Sequence, residues 1–185
     1  MEEWRLSLGL QLGLRVRKGL VWTVGNADSM VDYKPPNQAE DDIDKVVNAL
    51  MPFFGGVMSQ MLSPQQKKRG ATFSKAFREA LESVGERRKE MFELSGLATR
   101  PAMQGRGYGS ALVRLVTDIA DAEGRATWLG SSNVVNTGFY EYLGFRIVES
   151  ITLGESDPTW NEDPIVVNLM IREPRARVSA GRPHS

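Results

Sequence analysis

The chain has 185 residues, with 23 basic and 23 acidic side chains, no cysteine and a single histidine, His184. This length suits one domain with a real core, and the charge balance argues against a general nucleic-acid or membrane-surface binder, which usually has a basic excess. The composition excludes disulfides, zinc–thiolate sites and a catalytic thiol, and it argues against a Ser-His-Asp triad or a histidine metal site. No apolar run approaches the roughly 20 residues that cross a membrane, so we expect a cytoplasmic protein.

The first elements are predicted as a short hairpin. Residues 19–24, GLVWTV, are rich in β-branched and aromatic side chains, which is typical of a strand. The preceding stretch, LGLQLGLRVRKGL, is expected to pair with this strand across a turn at Lys18-Gly19. Residues 26–38 contain Pro35-Pro36 and are predicted to form a loop.

Two helices are predicted between residues 39 and 90. The first covers 39–61, because acidic residues occupy its first turns and apolar residues follow at helical spacing. Pro52 and Gly55-Gly56 should break or kink it. The second begins at Ser63-Pro64, an N-cap followed by a proline at the first helical position, and runs to about residue 90. Its basic side chains alternate with acids, which indicates a solvated face.

The C-terminal half alternates strands and helices. Strands are predicted for MFELSGLATRP before Pro101, for RATWLGSS, for FRIVESITL and for PIVVNLMIR. An amphipathic helix precedes Gly124, and a short helix capped by Asn133 or Asn136 ends at Gly144. This order favours an α/β or α+β layer built on a sheet. Residues 174–185 are predicted to be a disordered tail.

A glycine-rich segment, MQGRGYGSAL, stands at the start of the amphipathic helix and suggests a phosphate site. A P-loop would need a lysine after Gly109, and a dinucleotide fingerprint would need glycine where Ser110 stands. An ordinary strand-to-helix turn remains an alternative. However, QGRGYG (104–109) fits the pattern Q-x-x-G-x-G, and NTGFYEYLGFR (136–146) follows it along the chain.

These two motifs resemble the signatures of the GNAT acetyltransferase superfamily, in the family's order, and the resemblance covers residues 92–172. It implies a GNAT-like α/β (α+β) fold, with a central mixed, mostly antiparallel sheet flanked by helices. The family usually places a strand and two helices before its first hairpin, whereas 18 residues precede GLVWTV here. We therefore expect a single domain over 1–173 with a shortened N-terminus and a helical insertion at 39–90.

The resemblance also implies roles for particular residues. Main-chain donors of the glycine segment would bind the coenzyme A pyrophosphate, since a helix N-terminus carries unpaired N–H groups and glycines allow close approach. The acetyl carbonyl would meet backbone N–H groups of the preceding strand, Asn136 would contact the coenzyme arm, and Tyr140 would protonate the departing thiolate. The implied cofactor-binding residues are Leu97, Ala98, Thr99, Gln104, Gly105, Arg106, Gly107, Tyr108, Gly109, Ser110 and Asn136.

The implied function is an acetyl-CoA-dependent N-acetyltransferase that moves an acetyl group to a primary amine of a small molecule or peptide. The amine would attack directly in a ternary complex, without a metal, nucleic acid or membrane. A homodimer would cover a sheet edge left open by the short N-terminus.

Alternatives stay open at this point. Tyr140 fits a core aromatic and Asn136 fits a helix cap. Glu93, Ser95 or a water molecule would serve as the general base. The chain would also fit a non-catalytic coenzyme A-binding module with a degenerate acceptor site, or a scaffold whose helices at 39–90 pair with another chain.

Overall fold

The computed structural model describes residues 3–155, 157 and 159–175. Within these residues the helices are α1 (Glu3–Arg17), α2 (Asp42–Met61), α3 (Pro64–Val84), α4 (Tyr108–Ala122) and α5 (Thr137–Tyr142). The strands are β1 (Val21–Val24), β2 (Ser29–Lys34), β3 (Phe92–Thr99), β4 (Thr127–Ser131), β5 (Arg146–Leu153) and β6 (Ile165–Arg172). No helix in the described ranges is both long and apolar enough to span a membrane.

The predicted strand before Lys18-Gly19 is wrong, because this stretch forms helix α1. Leucines at every second position imitate strand alternation, but Leu, Gln and Arg are also good helix formers. Gly19 ends the helix with φ +68°, and the Leu20 N–H donates to the Arg15 carbonyl at 2.9 Å. This hydrogen bond across a left-handed glycine is a C-terminal cap, so Lys18-Gly19 is not a hairpin turn.

The hairpin partner of β1 is β2, which lies inside the predicted loop 26–38. The two strands pair antiparallel from Val21↔Asp32 to Val24↔Ser29. The loop prediction is therefore wrong over Ser29–Lys34, and the two prolines follow the strand. Two buried polar residues in β2, Ser29 and Asp32, weaken its sequence signal because their partners are distant along the chain.

Helices α2 and α3 confirm the two predicted helices, although α2 is continuous and α3 ends earlier than predicted. Asp41 caps α2, since its side chain accepts hydrogen bonds from the Ile43 and Asp44 N–H groups, both at 3.0 Å. The predicted break at Pro52 and Gly55-Gly56 is wrong, because α2 continues through them to Met61. Helix α3 starts with the Ser63 cap as predicted but ends at Val84, where Gly85 takes φ +73° before a 3-10 turn, Glu86–Glu90.

The sheet is mixed and mostly antiparallel, as predicted, with the order β1-β2-β3-β4-β6-β5. Only β3 and β4 are parallel, and their pairing is limited to Phe92↔Thr127 and Glu93↔Trp128. Beyond these pairs the two strands separate, because β3 continues to Thr99 without hydrogen bonds to β4. This separation opens the sheet at its centre.

Helices cover both faces of the sheet. Helix α4 packs on β2 and β3, where it buries Leu112, Val113 and Val116 in the cluster that contains Phe92 and Phe145. On the other face α3 packs on β5 over a second cluster that includes Trp128 and Leu169. Helices α2 and α3 thus lie between β2 and β3 along the chain, and α3 forms part of the core.

Of the predicted tail 174–185, only 174 and 175 fall within the described residues. His184 and the rest of the tail lie outside them.

Candidate active site

A bulge in β3 determines which of its side chains face α4. Tyr33 pairs with Leu94 and Asp32 pairs with Gly96, so Ser95 is an extra residue on β3. The side-chain alternation is therefore reversed beyond Ser95, and Leu97 packs against the same cluster as Leu94. Two of the predicted positions, Leu97 and Thr99, consequently face α4, and Ala98 faces the opposite side of the sheet.

The glycine segment connects the end of β3 to the first turn of α4. Gly105 (φ +74°) and Gly107 (φ +81°) adopt left-handed backbone conformations, which glycine accepts without steric cost. Gln104 ties the segment to β3, because its side-chain amide donates to the Thr99 carbonyl at 3.2 Å. Its own N–H donates to the Pro101 carbonyl at 3.3 Å, so Gln104 fixes the shape of the loop.

The main-chain N–H groups of Gly105 to Ser110 form a row of free donors. In the part of the chain that the structure describes, none of them donates to a backbone acceptor, and the first such bond is from Ala111 to the Gly107 carbonyl at 2.9 Å. Free N–H groups and the helix dipole together attract anions at a helix start. This segment has the chemistry of a phosphate site.

The opening between β3 and α4 is a cleft of about 500 Å³. It brings together ten of the twelve predicted site residues: Leu97, Thr99, Gln104, Gly105, Gly107, Tyr108, Gly109, Ser110, Asn136 and Tyr140. Ala98 and Arg106 are exposed beside the cleft and do not line it. Met103 and Phe139 complete the lining, and the sequence analysis did not select them because each fits an ordinary packing residue.

The free edge of β3 carries donors toward the gap left by β4. The Arg100 N–H donates to the Asp28 carbonyl at 2.8 Å, on the β2 side of the strand. Because successive residues of a strand point their N–H groups to opposite edges, the N–H groups of Leu97 and Thr99 point to the open edge. Ala98 points its N–H toward β2.

Tyr140 combines burial with access to the cleft. The residue is 8 % exposed, and its ring packs edge-on against Phe139 at 5.0 Å and Phe145 at 5.8 Å. Burial raises the pKa of the Tyr140 phenol above its usual value of 10.0, so the group is a neutral proton donor at physiological pH. The residue is therefore both a core aromatic and part of the cleft wall, whereas Tyr142 is 72 % exposed.

Asn136 occupies the N-cap position of α5, but its side chain makes no capping hydrogen bond there. The side chain of Asn133 accepts a hydrogen bond from the Val135 N–H at 3.1 Å, whereas Asn136 makes no side-chain capping bond to α5. The prediction that Asn136 stands at the start of the helix is confirmed by position, and its side chain lines the cleft.

Carboxylates lie on the sheet face opposite the cleft. Glu93 alternates with the buried Phe92 and Leu94, and it accepts a hydrogen bond from the Ser95 hydroxyl at 3.1 Å. Asp32 is 5 % exposed on the same face and forms an ion pair with Arg15 of α1. The separation of β3 and β4 thus lies between the glycine segment on one side and the Glu93 carboxylate on the other.

The structure thus combines a mixed sheet, whose parallel strands β3 and β4 separate, with a glycine-rich helix start beside that separation. Part of the chain is similar to the GNAT acetyltransferase family. Residues 72–145 match the model of the "Acetyltransferase (GNAT) family". This range contains the glycine segment, α4, β4 and α5.

A curated relative also matches part of the chain. It is an uncharacterized N-acetyltransferase of Schizosaccharomyces pombe, 35% identical over 77 residues. The matched region is 42% of this chain and 29% of the relative, so the chain covers less than a third of that protein's length.

Solved structures share the fold at low sequence identity. An agmatine N-acetyltransferase mutant in its apo form aligns with a TM-score of 0.56 and 13% identity, over 86% of this chain and 78% of that chain. A mosquito arylalkylamine N-acetyltransferase-like protein aligns with a TM-score of 0.54 and 14% identity, over 94% of this chain and 81% of that chain. A Drosophila melanogaster polyamine N-acetyltransferase aligns with a TM-score of 0.53 and 14% identity, over 86% of this chain and 77% of that chain. These likenesses establish the GNAT fold.

Proposed function

We propose that this protein is an acetyl-CoA-dependent N-acetyltransferase that transfers an acetyl group to a primary amine by direct attack in a ternary complex. The observation that carries the proposal is the row of free N–H donors at the start of α4, which opens into the same cleft as Tyr140. We further propose that the protein works in the cytoplasm.

The cleft fits a coenzyme A thioester in shape and chemistry. The N–H groups of Gly105 to Ser110 would bind the pyrophosphate, because they have no backbone acceptor among the described residues and are concentrated at a helix start. Gly109 lies near Leu97, Thr99 and Phe139, so the absence of a side chain keeps the passage to β3 open. Asn136 supplies an amide along this passage, and Arg106 adds positive charge beside it.

Each group has a part in the transfer. The amine nitrogen attacks the acetyl carbon, and the N–H groups of Leu97 and Thr99 stabilise the oxyanion that forms. When the carbon–sulfur bond breaks, the Tyr140 phenol gives its proton to the thiolate. The proton lost by the amine leaves toward the opposite face, where Glu93 supplies a carboxylate.

The acceptor is a primary amine of a small molecule or peptide. The sheet face opposite the cleft carries the Glu93 carboxylate, which suits a substrate that arrives as an ammonium ion. Three proteins with the same fold are named for agmatine, arylalkylamines and polyamines, which are all amines.

Two measurements test the proposal in order. Isothermal titration with acetyl-CoA should show saturable binding, and absence of heat at millimolar ligand would reject the coenzyme site. Thiol release is then followed with a disulfide reagent over a panel of small amines and peptides. The chain has no cysteine, so the protein adds no background colour. Binding without amine-dependent thiol release would reject the transferase and leave a coenzyme-binding module.

A further inference from the structure

Helix α2 carries an apolar stripe that faces solvent. We call its five residues the α2 stripe: Ile43, Val46, Leu50, Phe53 and Val57. Each is between 44% and 68% exposed, although all five are large and apolar. A contiguous exposed apolar surface of this kind is unusual on a monomer and marks an interaction site.

The stripe is separate from the face by which α2 attaches to the rest of the protein. That inner face holds Asp44, Val47, Met51 and Phe54, which are buried or half-buried. Asp44 anchors it, because its carboxylate forms ion pairs with Lys18 and Arg17 at the end of α1. The first four stripe residues each precede an inner-face residue by one position, so the stripe is rotated about 100° from the face that packs toward α1.

The spacing of the stripe is that of a seam between two helices. The intervals along the α2 stripe are three, four, three and four residues, the a and d positions of a heptad repeat. From Ile43 to Val57 the seam is about 21 Å long. The stretch from Val46 to Gln66 contains no charged residue, so no buried charge would oppose the approach of a second helix.

The charges at the two ends of α2 favour an antiparallel pair of identical helices. Glu40, Asp41 and Asp42 stand at its start, and Lys67 and Lys68 follow its end in the first turn of α3, all exposed. A two-fold axis near Leu50 would bring the acidic start of one copy beside the basic end of the other, whereas a parallel pair would bring like charges together. An anionic membrane is disfavoured, because interfacial helices are rich in Lys and Arg and the charged residues of α2 are mostly acidic.

We propose that the α2 stripe is a homodimer interface in which α2 of one protomer packs antiparallel against α2 of its partner, about a two-fold axis near Leu50. The proposal stands on these exposures, spacings and charges and does not depend on the proposed catalysis.

The first experiment measures the mass of the full chain by light scattering during size exclusion. The wild type should elute at twice the chain mass of 20.6 kDa, and Leu50→Glu should shift it to a single chain mass. Leu115→Glu is the matched control, because Leu115 on α4 is 50% exposed and Leu50 is 47% exposed. A monomeric wild type, or a dimer that survives Leu50→Glu, would overturn the proposal.

Cysteine cross-linking tests the orientation, and the cysteine-free chain makes each introduced thiol unique. Leu50→Cys at the axis should form a disulfide-linked dimer on mild oxidation, while Leu115→Cys should not. Ile43→Cys alone should stay uncoupled but should cross-link when mixed with Val57→Cys. Self-coupling of Ile43→Cys would indicate a parallel pair and overturn the antiparallel interface. If the wild-type chain is monomeric and floats with phosphatidylserine vesicles, the α2 stripe binds a membrane, and the homodimer proposal is overturned.

Discussion

The Asp32 carboxylate occupies the space that a side chain on Gly96 would need. The two residues are direct partners across β2 and β3, next to the bulge at Ser95. An added β-carbon at Gly96 would overlap Oδ1 of Asp32, which is buried and held by Arg15. Glycine at this position therefore permits the register that turns Leu97 and Thr99 toward the cleft.

Gly96→Ala should destabilise the protein by about 1–3 kcal/mol, because a short, ion-paired carboxylate cannot move aside freely. Urea unfolding followed by circular dichroism measures the loss. Gly70→Ala is the matched control, since Gly70 lies within α3 and an added methyl group would meet nothing within 4 Å. That variant should be neutral or slightly more stable. Equal midpoints for the two variants would show that Asp32 does not constrain Gly96.

Gly109→Ala should separate folding from coenzyme binding. A β-carbon at this position would lie 3.6 Å from Phe139 and Thr99 and 3.7 Å from Leu97, which are ordinary contact distances. Stability should be unchanged or slightly improved, because alanine suits a helix turn better than glycine. The methyl group would nevertheless narrow the passage between the glycine loop and β3. We expect acetyl-CoA affinity to fall about tenfold, roughly 1.4 kcal/mol, by titration calorimetry. A variant with unaltered affinity would place the coenzyme elsewhere.

Tyr140→Phe should lower kcat and leave the affinity for acetyl-CoA unchanged. The substitution keeps the aromatic packing on Phe139 and Phe145 and removes only the proton donor, whose contribution we expect to be about a hundredfold in rate. Tyr142→Phe is the control, because Tyr142 lies two residues away and is 72% exposed. Steady-state kinetics measures kcat for both variants, and titration calorimetry measures their affinity for acetyl-CoA. If both phenylalanine variants turn over at the wild-type rate, the thiolate takes its proton from another source.

The sequence predicted well those structural elements that are determined by residues close together along the chain. The glycine segment and the first turn of α4 are contiguous, so the row of donors follows from the residues themselves. Helix α2 was predicted from its acidic first turns and apolar spacing, and α3 from the Ser63-Pro64 start, all of which are local signals.

The errors arose where partners are distant along the chain. Strand β2 was missed because Ser29 and Asp32 are buried polar residues, and their partners Thr99 and Arg15 lie in other elements. Helix α1 was predicted as a strand because a leucine at every second position matches strand alternation, and it also places leucines four residues apart on one helix face. The bulge at Ser95 depends on the pairing with β2, so its reversal of the alternation and the exposure of Ala98 had no sequence signal.

Arg172 and Asp121 form a buried bidentate ion pair that joins β6 to α4, with both N–O distances at 2.7 Å. Arg172 also donates to the Leu143 carbonyl at 3.2 Å, so the pair fixes the end of α5 beside the site. Burial alone would raise the pKa of Asp121, but hydrogen bonds from Arg172 and from the Arg175 N–H outweigh it and hold the pKa below 3.8. Because the pKa is lowered in the folded state, this carboxylate stabilises the fold above pH 3.8, and the stabilisation is lost as the pH falls below that value.

Asp121→Asn should therefore destabilise the protein at neutral pH by about 3 kcal/mol, since it leaves the Arg172 guanidinium buried without a counter-charge. The difference in unfolding free energy between wild type and Asp121→Asn should shrink as the pH is lowered through about 4 to 3, because only the wild type loses an ionised group there. Urea unfolding at several pH values measures both quantities. Asp118→Asn is a suitable control on the exposed side of α4, and its unfolding free energy at neutral pH should equal that of the wild type. A difference for Asp121→Asn that stays constant down to pH 3 would mean that the carboxylate contributes through its shape and hydrogen bonds, and that its charge adds nothing to the stability of the fold.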